Sequence, residues 1–184
     1  MNTEQVDSLA FQLTPEHAVV RWITTQPSYK EAWHNCTQSM WLMCACERLD
    51  VDEKLIVRAA CDCAHWAADR FKYNPLIENA ITAAEGWCEG VVSLEQALDA
   101  AKAIYPAYEG VFSTYADVID AARLVAEATR VTDKAVSAVM FIVIDGLEPL
   151  REEKESACLK RIRDRIPWRV VEDAIAAKQK ELGL

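Results

Sequence analysis

Cysteine and histidine side chains cluster in two short stretches, and together they could bind a metal ion or supply a nucleophile. The segment YKEAWHNCTQSMWLMCACERLD, residues 29–50, holds three Cys and one His, and CDCAH, residues 61–65, adds two Cys and another His. Cys61 and His65 are four residues apart, so they share one face of a helix. Because zinc prefers tetrahedral sets of Cys and His ligands, these two residues are the candidates for a metal site.

The spacing of the cysteines disfavours this chemistry. Cys44 and Cys46 are two residues apart, as are Cys61 and Cys63, and side chains at that spacing diverge by about 160° on a helix. The sequence has neither a CxxC nor an HxxxH motif. A nucleophilic cysteine also needs an adjacent base, and no spacing selects such a pair. We therefore predict no catalytic residue and no cofactor, with the cysteines filling small gaps between helices.

A second candidate site lies in the basic segment LKRIRDRIPWR, residues 159–169. Residues 151–184 contain nine Lys and Arg against seven Asp and Glu, a net charge of +2, whereas the whole chain carries −9. Such a cluster could bind phosphate or an acidic partner. The alternative is a solvated helix whose cations pair with Glu152, Glu153 and Glu155. The predicted binding residues are Lys160, Arg161, Arg163, Arg165, Trp168 and Arg169.

Composition and charge restrict the class of protein. The remainder of the chain carries −11, which disfavours nucleic acid as a partner because affinity for nucleic acid depends on neutralising phosphates. No apolar run approaches the ~18 residues of a membrane span, and the acidic N-terminal residues do not resemble a secretory signal. Seven Cys, an odd number, placed in apolar helical runs indicate reduced thiols. We expect a cytoplasmic protein that does not enter a membrane.

Apolar residues recur at helical spacing along nearly the whole chain, and no hairpin signal is present. We predict an all-α fold of about nine or ten helices in one domain, 1–184, within which 148–184 form a semi-separate helix pair. The segment VSAVMFIVI, residues 136–144, has the composition of a strand, but it continues an Ala-rich helical pattern. The predicted helices are one opened by Thr14-Pro15, then 28–36, 40–49, one from 50 or 52 to 71, 75–90, 93–105, 112–130, 132–145, 148–165 and 167–182.

Four segments resemble a family of Ala-rich helical proteins from phages and bacteria that carry an immunity-protein label. EAWHNC…MWL, residues 31–42, is similar to the family pattern EAWxxCxxxxWML, and RAACDCAHWA, residues 58–67, to its AACACAR segment. PLIENAITAAEGWCEGVVSLEQ, residues 75–96, resembles PLxAIxxAExWxxGxxxLEE. RIRDRIPWRVVEDAI, residues 161–175, is similar to a basic IRxxIPWxxV segment. The resemblance implies a helical binding protein and supplies no catalytic residues.

The sequence departs from the family pattern at three places. Met40 stands where the family often has Asp as a helix N-cap, so Ser39 is expected to take that role. His65 stands where Arg is common. The middle stretch, residues 111–144, is richer in Val and Ile than the family pattern, which predicts a better-filled core.

Four functions remain open at this point. The leading hypothesis is a non-enzymatic binding protein of the immunity or anti-defence type, of phage or bacterial origin, that occupies a protein partner in the cytoplasm, which is the host cytoplasm if a phage encodes it. The second is a nucleic-acid or nucleotide binder that uses the basic C-terminal helices. The third is an enzyme with a helical pocket, in one version assisted by a metal ion. The fourth is a homo-oligomeric structural protein, since a Trp-rich face would suit self-association.

Overall fold

The computed structural model describes residues 17–70, 74–105, 113–144 and 150–183, and the regular elements in these ranges are ten α-helices without a β-strand. This confirms the predicted all-α fold. In chain order the helices are α1 (His17–Thr24), α2 (Tyr29–Asn35), α3 (Ser39–Arg48), α4 (Glu53–Arg70), α5 (Pro75–Glu89), α6 (Leu94–Ala103), α7 (Ser113–Ala128), α8 (Asp133–Ile144), α9 (Leu150–Arg165) and α10 (Trp168–Leu182). None of them is both long and apolar enough to cross a lipid bilayer.

Side-chain caps fix several helix starts where the sequence predicts them. The Ser28 hydroxyl accepts a hydrogen bond from the Glu31 amide at 3.1 Å and begins α2. The Asn74 side chain accepts from the Leu76 amide at 2.9 Å, and Pro75 follows as the first residue of α5. Ser93 and Gln96 form a reciprocal capping box at α6. Each cap satisfies amide groups that have no partner within the helix.

The start of α3 differs from the prediction. Ser39 is the first residue of the helix and Gln38 occupies the N-cap position without a side-chain hydrogen bond. Ser39 is therefore not the N-cap, and the helix begins one residue earlier than predicted. The predicted opening of the first helix at Thr14-Pro15 and the opening of α9 at Glu148-Pro149 lie outside the described residues.

Helix α4 is the central element of the core. It contacts α3, α5, α7, α8 and α9, and its buried positions are mostly small: Ala59, Ala60, Cys61, Cys63, Ala64 and Ala67. Small side chains let several helices approach one axis while the interior stays filled. The segment 136–144 belongs to α8 and not to a strand, and Val139 and Ile142 on it are buried.

The cysteine-rich stretch 29–50 forms α2, α3 and the junction between them. Trp33, Met43 and Cys46 in this stretch are each at most 4% exposed, so the segment belongs to the core. Helix α9 packs against α3, α4 and α8, and α10 contacts α2. The basic C-terminal segment thus lies against α2, α3 and α4, which sets the geometry of the candidate site.

A candidate interaction groove beside helix α9

The basic residues predicted as a binding surface are used largely for contacts within the chain. The guanidinium of Arg163 donates to the Trp33 carbonyl at 2.9 and 3.2 Å and to the Cys36 carbonyl at 2.6 Å. These oxygens lie at the end of α2, where carbonyls lack intrahelical partners. Partial burial lowers the pKa of Arg163, but the group keeps its charge because an ordinary guanidinium pKa exceeds 12.

Arg161 and Arg165 contact α4 on the other side of α9. Arg165 forms two hydrogen bonds with the Asp62 carboxylate, at 2.9 and 3.0 Å, and this hydrogen bonding raises the pKa of the arginine. The Arg161 guanidinium lies over the Trp66 ring, 5.6 Å from its centroid, and also donates to the Ala157 carbonyl. Both arginines therefore stabilise the packing of α9 on α4.

The other three predicted binding residues are nearer to solvent. Lys160 is exposed and pairs with Asp164 one turn later, at 2.5 Å. Arg169 on α10 is exposed, and Trp168 is half-buried with its ring 6.5 Å from that of His34. The structure does not bring the six residues together on one surface. Some of them contact α2 or α4, and the others face solvent.

An open groove of about 990 Å³ runs beside α9 and is bounded by the α2–α3 junction and by the end of α8. Its apolar wall contains Met40, Met140, Val143 and Leu159. Its charged wall contains residues of both signs: Arg151, Glu152, Glu155, Lys160, Arg163 and Asp164. We call this feature the α9 groove. The groove could not be predicted from the sequence, because Met140 and Val143 lie on an apolar helix, α8, whose residues are typical of a buried core.

Two residues that line the groove, Glu155 on α9 and Ser39 on α3, are hydrogen-bonded to each other. The Glu155 carboxylate accepts from the Ser39 amide at 2.5 Å and from the Ser39 hydroxyl at 2.9 Å. A carboxylate at a helix N-terminus satisfies a free amide and interacts favourably with the helix dipole. Under the alternative of a solvated helix, Glu155 would pair with basic residues nearby in the sequence, whereas its hydrogen bonds reach a residue 116 positions away.

The metal candidates Cys61 and His65 lie in different surroundings on α4. Cys61 is fully buried on α4, whereas the imidazole of His65 lies 3.2 Å from a Glu85 carboxylate oxygen and 3.6 Å from one of Glu78. Over the described ranges, no group of three or more His, Cys, Asp or Glu side chains is arranged to hold a metal ion. His65 instead connects α4 to α5 through carboxylates.

The environment of four buried cysteines makes them poor nucleophiles. Burial raises the pKa of Cys36 to about 11 and that of Cys46 to about 12, and it also raises the pKa of Cys61. The Cys63 thiol, which is hydrogen-bonded to Cys158 and fully buried, likewise has a raised pKa. Since the thiolate is the reactive species, such thiols are inert at neutral pH. Their positions agree with the predicted role as small core residues.

A network of charged side chains between α4 and α5 was not anticipated. Arg58 lies 2.9 Å from Glu89 and 3.6 Å from Glu85, which also contacts His65. The spacing of Glu78, Glu85 and Glu89 along α5 is roughly helical, and that periodicity is the sequence signal for a shared face. The network links two neighbouring helices and has the composition of a structural ion-pair cluster.

Comparison of the chain with protein-family models, with curated proteins and with solved structures finds no match.

Proposed function

We propose that the protein is a non-enzymatic binding protein that acts by occupying a protein partner, as expected for an immunity or anti-defence protein of phage or bacterial origin. The observation that supports the proposal is the α9 groove, which has an apolar wall and, as its rim, the charged wall. An apolar centre with a polar rim is the usual anatomy of a protein–protein interface. The proposal places the protein in a cytoplasm, where its cysteines stay reduced.

The mixed charge of the rim favours a protein partner over nucleic acid. Arg151 and Lys160 are accompanied by Glu152 and Asp164, so the rim does not present the uniformly positive surface that a phosphate backbone requires. Arg163 is engaged with carbonyl oxygens of α2. A nucleic-acid binder that uses the basic C-terminal helices stays a prediction, and these contacts weigh against it.

A photo-crosslinking amino acid placed in the groove tests the proposal. Ser156 lines the groove and is exposed, and Ala177 on α10 is exposed and does not line it. We expect the Ser156 position, in cells of the native host, to give a discrete adduct with one protein, and the matched Ala177 position to give none. The purified partner should bind the wild-type protein. Its affinity for the Met140→Glu variant, which carries a charge on the apolar wall, should be at least tenfold lower.

Two results would contradict the proposal. One is the same adduct pattern at both crosslinker positions, which would show contact without selectivity for the groove. The other is unchanged partner affinity of the Met140→Glu protein, provided that its circular dichroism matches that of the wild type. A salt-sensitive gel shift with nucleic acid that is lost in an Arg161→Ala, Arg165→Ala variant would favour the alternative instead.

A further inference from the structure

The wall that α9 contributes to the α9 groove is a long strip of side chains on one side of the helix. These side chains fall in two adjacent rows with a spacing of four residues, one from Arg151 to Arg163 and the other from Glu152 to Asp164. At a rise of 1.5 Å per residue, the strip is about 20 Å long. Rows of this spacing are the ridges against which a second helix packs its own rows. The form of this wall therefore suits a helix as the occupant of the groove.

The size of the groove suits the same occupant. A helix with its side chains is about 10 Å wide, so a length of about 20 Å sunk to half its diameter fills about 800 Å³. The groove offers about 990 Å³. An extended segment fits less well, because a strand binds through main-chain hydrogen bonds at the edge of a sheet. The lining residues lie on helices, apart from the short junction 36–38, and present no such edge.

Methionine forms half of the apolar wall of the groove. Met40 on α3 and Met140 on α8 are half-buried, whereas Val143 and Leu159 are buried. A methionine side chain is flexible and polarisable, so it adapts to apolar side chains of different shapes. A wall of this composition accepts the apolar side of an incoming helix without an exact match in shape.

The charged wall of the groove carries no net charge, because three cations and three anions line it. Most of them are already engaged within the chain. Glu155 is bonded to α3 and Arg163 to carbonyl oxygens of α2, and Lys160 pairs with Asp164. A strongly charged segment would have to displace these contacts to gain ion pairs of its own. The occupant is therefore a segment whose charges balance.

We propose that the partner inserts one amphipathic α-helix of about 13 residues, without net charge, into the α9 groove. This inference rests on the proposed function, because it specifies which element of a protein partner the groove receives. Apolar side chains of the partner helix at i, i+4, i+7 and i+11 contact the apolar wall. Their burial supplies most of the affinity.

Titration of the full chain with synthetic peptides tests the proposal by fluorescence anisotropy. The probe is a labelled peptide of about 14 residues with blocked ends. It has leucine at i, i+4, i+7 and i+11, equal numbers of Glu and Lys on its polar side, and Ala elsewhere. The matched control peptide carries one proline in the middle of the polar side, which keeps the leucines and the charge but breaks the helix. We expect the probe to bind saturably and the proline peptide to bind about tenfold more weakly or worse.

Protein variants locate the binding in the groove. Met140→Glu, on the apolar wall, and Ser156→Arg, at an exposed position of the groove, should each weaken the probe about tenfold. Ala177→Glu, at an exposed position of α10 outside the groove, should leave its affinity unchanged. The circular dichroism of each variant has to match that of the wild type.

Three results would overturn the inference. They are equal affinity for the two peptides, unchanged affinity of the probe for both groove variants, and no saturable binding of the probe to the wild type. The proposed function is decided separately, because a discrete adduct at Ser156 in host cells would still support a protein partner that uses another kind of segment.

Discussion

The guanidinium of Arg163 on α9 donates two hydrogen bonds to the main-chain carbonyl oxygen of Trp33 on α2, from Nε at 3.2 Å and from Nη2 at 2.9 Å. The Nη2 group also reaches the Cys36 carbonyl. A positive charge at the C-terminus of a helix interacts favourably with the helix dipole. One side chain thus terminates α2 and connects residues that are 130 positions apart. It also forms part of the wall of the α9 groove.

Replacing Arg163 by Ala should lower the free energy of unfolding by about 2–3 kcal/mol, because charge-assisted hydrogen bonds to half-buried carbonyls are lost. Arg163→Lys should recover part of this loss, since an ammonium keeps the charge but not the planar fork of donors. Urea denaturation measures both. The matched control is Arg169→Ala, at an exposed position of the same basic segment, which should change stability by no more than about 0.5 kcal/mol. Similar losses at the two positions would show that Arg163 does not act as a helix cap.

Replacing Glu155 by Ala should cost about 1–2 kcal/mol, because the Ser39 amide and hydroxyl both lose their acceptor. Glu155→Gln should be intermediate, since an amide oxygen still accepts but carries no negative charge for the helix dipole. Glu152→Ala, at an exposed position on the same helix, is the control for a general loss of charge. Thermal unfolding in low and high salt provides the measurement. A loss at Glu155→Ala no greater than at Glu152→Ala would contradict the capping role.

Local signals in the sequence predict the helices well. Long-range contacts determine the helix start that these signals do not predict. Asn74-Pro75 and the Ser93–Gln96 box act within four residues, so the starts of α5 and α6 could be predicted. The start of α3 could not, because the group that satisfies its first amide is Glu155 on α9. Helix propensity and capping patterns contain no information about an acceptor that arrives through tertiary packing.

In the candidate site too, local features can be predicted from the sequence and tertiary contacts cannot. The segment 159–169 is visibly basic, but the sequence does not reveal that Arg163 and Arg165 are directed to α2 and to Asp62. A solvated cationic face and a set of internal caps have the same composition. The cysteines were predicted to fill gaps in the core, and five of the seven are buried, whereas Cys44 and Cys88 are half-buried against it. The apolar wall of the α9 groove required the packing of α8 beside α9.

Gly86 allows the turn after α5 to fold back against its own helix. A Cβ atom at this position would overlap Cγ2 of Val92, and the Gly86 carbonyl accepts from the amides of Val91 and Val92. Gly86→Ala should therefore destabilise the protein by about 1–3 kcal/mol through overpacking.

The size of the Val92 side chain provides the control for this prediction. In the double variant Gly86→Ala, Val92→Ala, the clash is removed, so the second substitution should cost less than Val92→Ala does alone. A double-mutant cycle by urea denaturation gives this coupling energy. Strict additivity of the two single changes would show that the helix accommodates the extra methyl group without contact to Val92.

Stability should decline as the solution becomes alkaline, because burial keeps the core thiols protonated. In the folded protein the pKa of Cys36 is about 11 and that of Cys46 about 12, each raised from 9.0. Both thiols are neutral in either state below pH 9, so their contribution is fully present there. Above pH 9 the unfolded chain releases protons that the folded chain retains, and the free energy of unfolding falls by about 1.4 kcal/mol per pH unit for each thiol. Urea denaturation between pH 8 and 11 measures this slope. Cys46→Ala should make the slope shallower by the contribution of one thiol, about 1.4 kcal/mol per pH unit, whatever the stability of the variant at pH 8. An unchanged slope in that variant would show that other groups cause the alkaline loss.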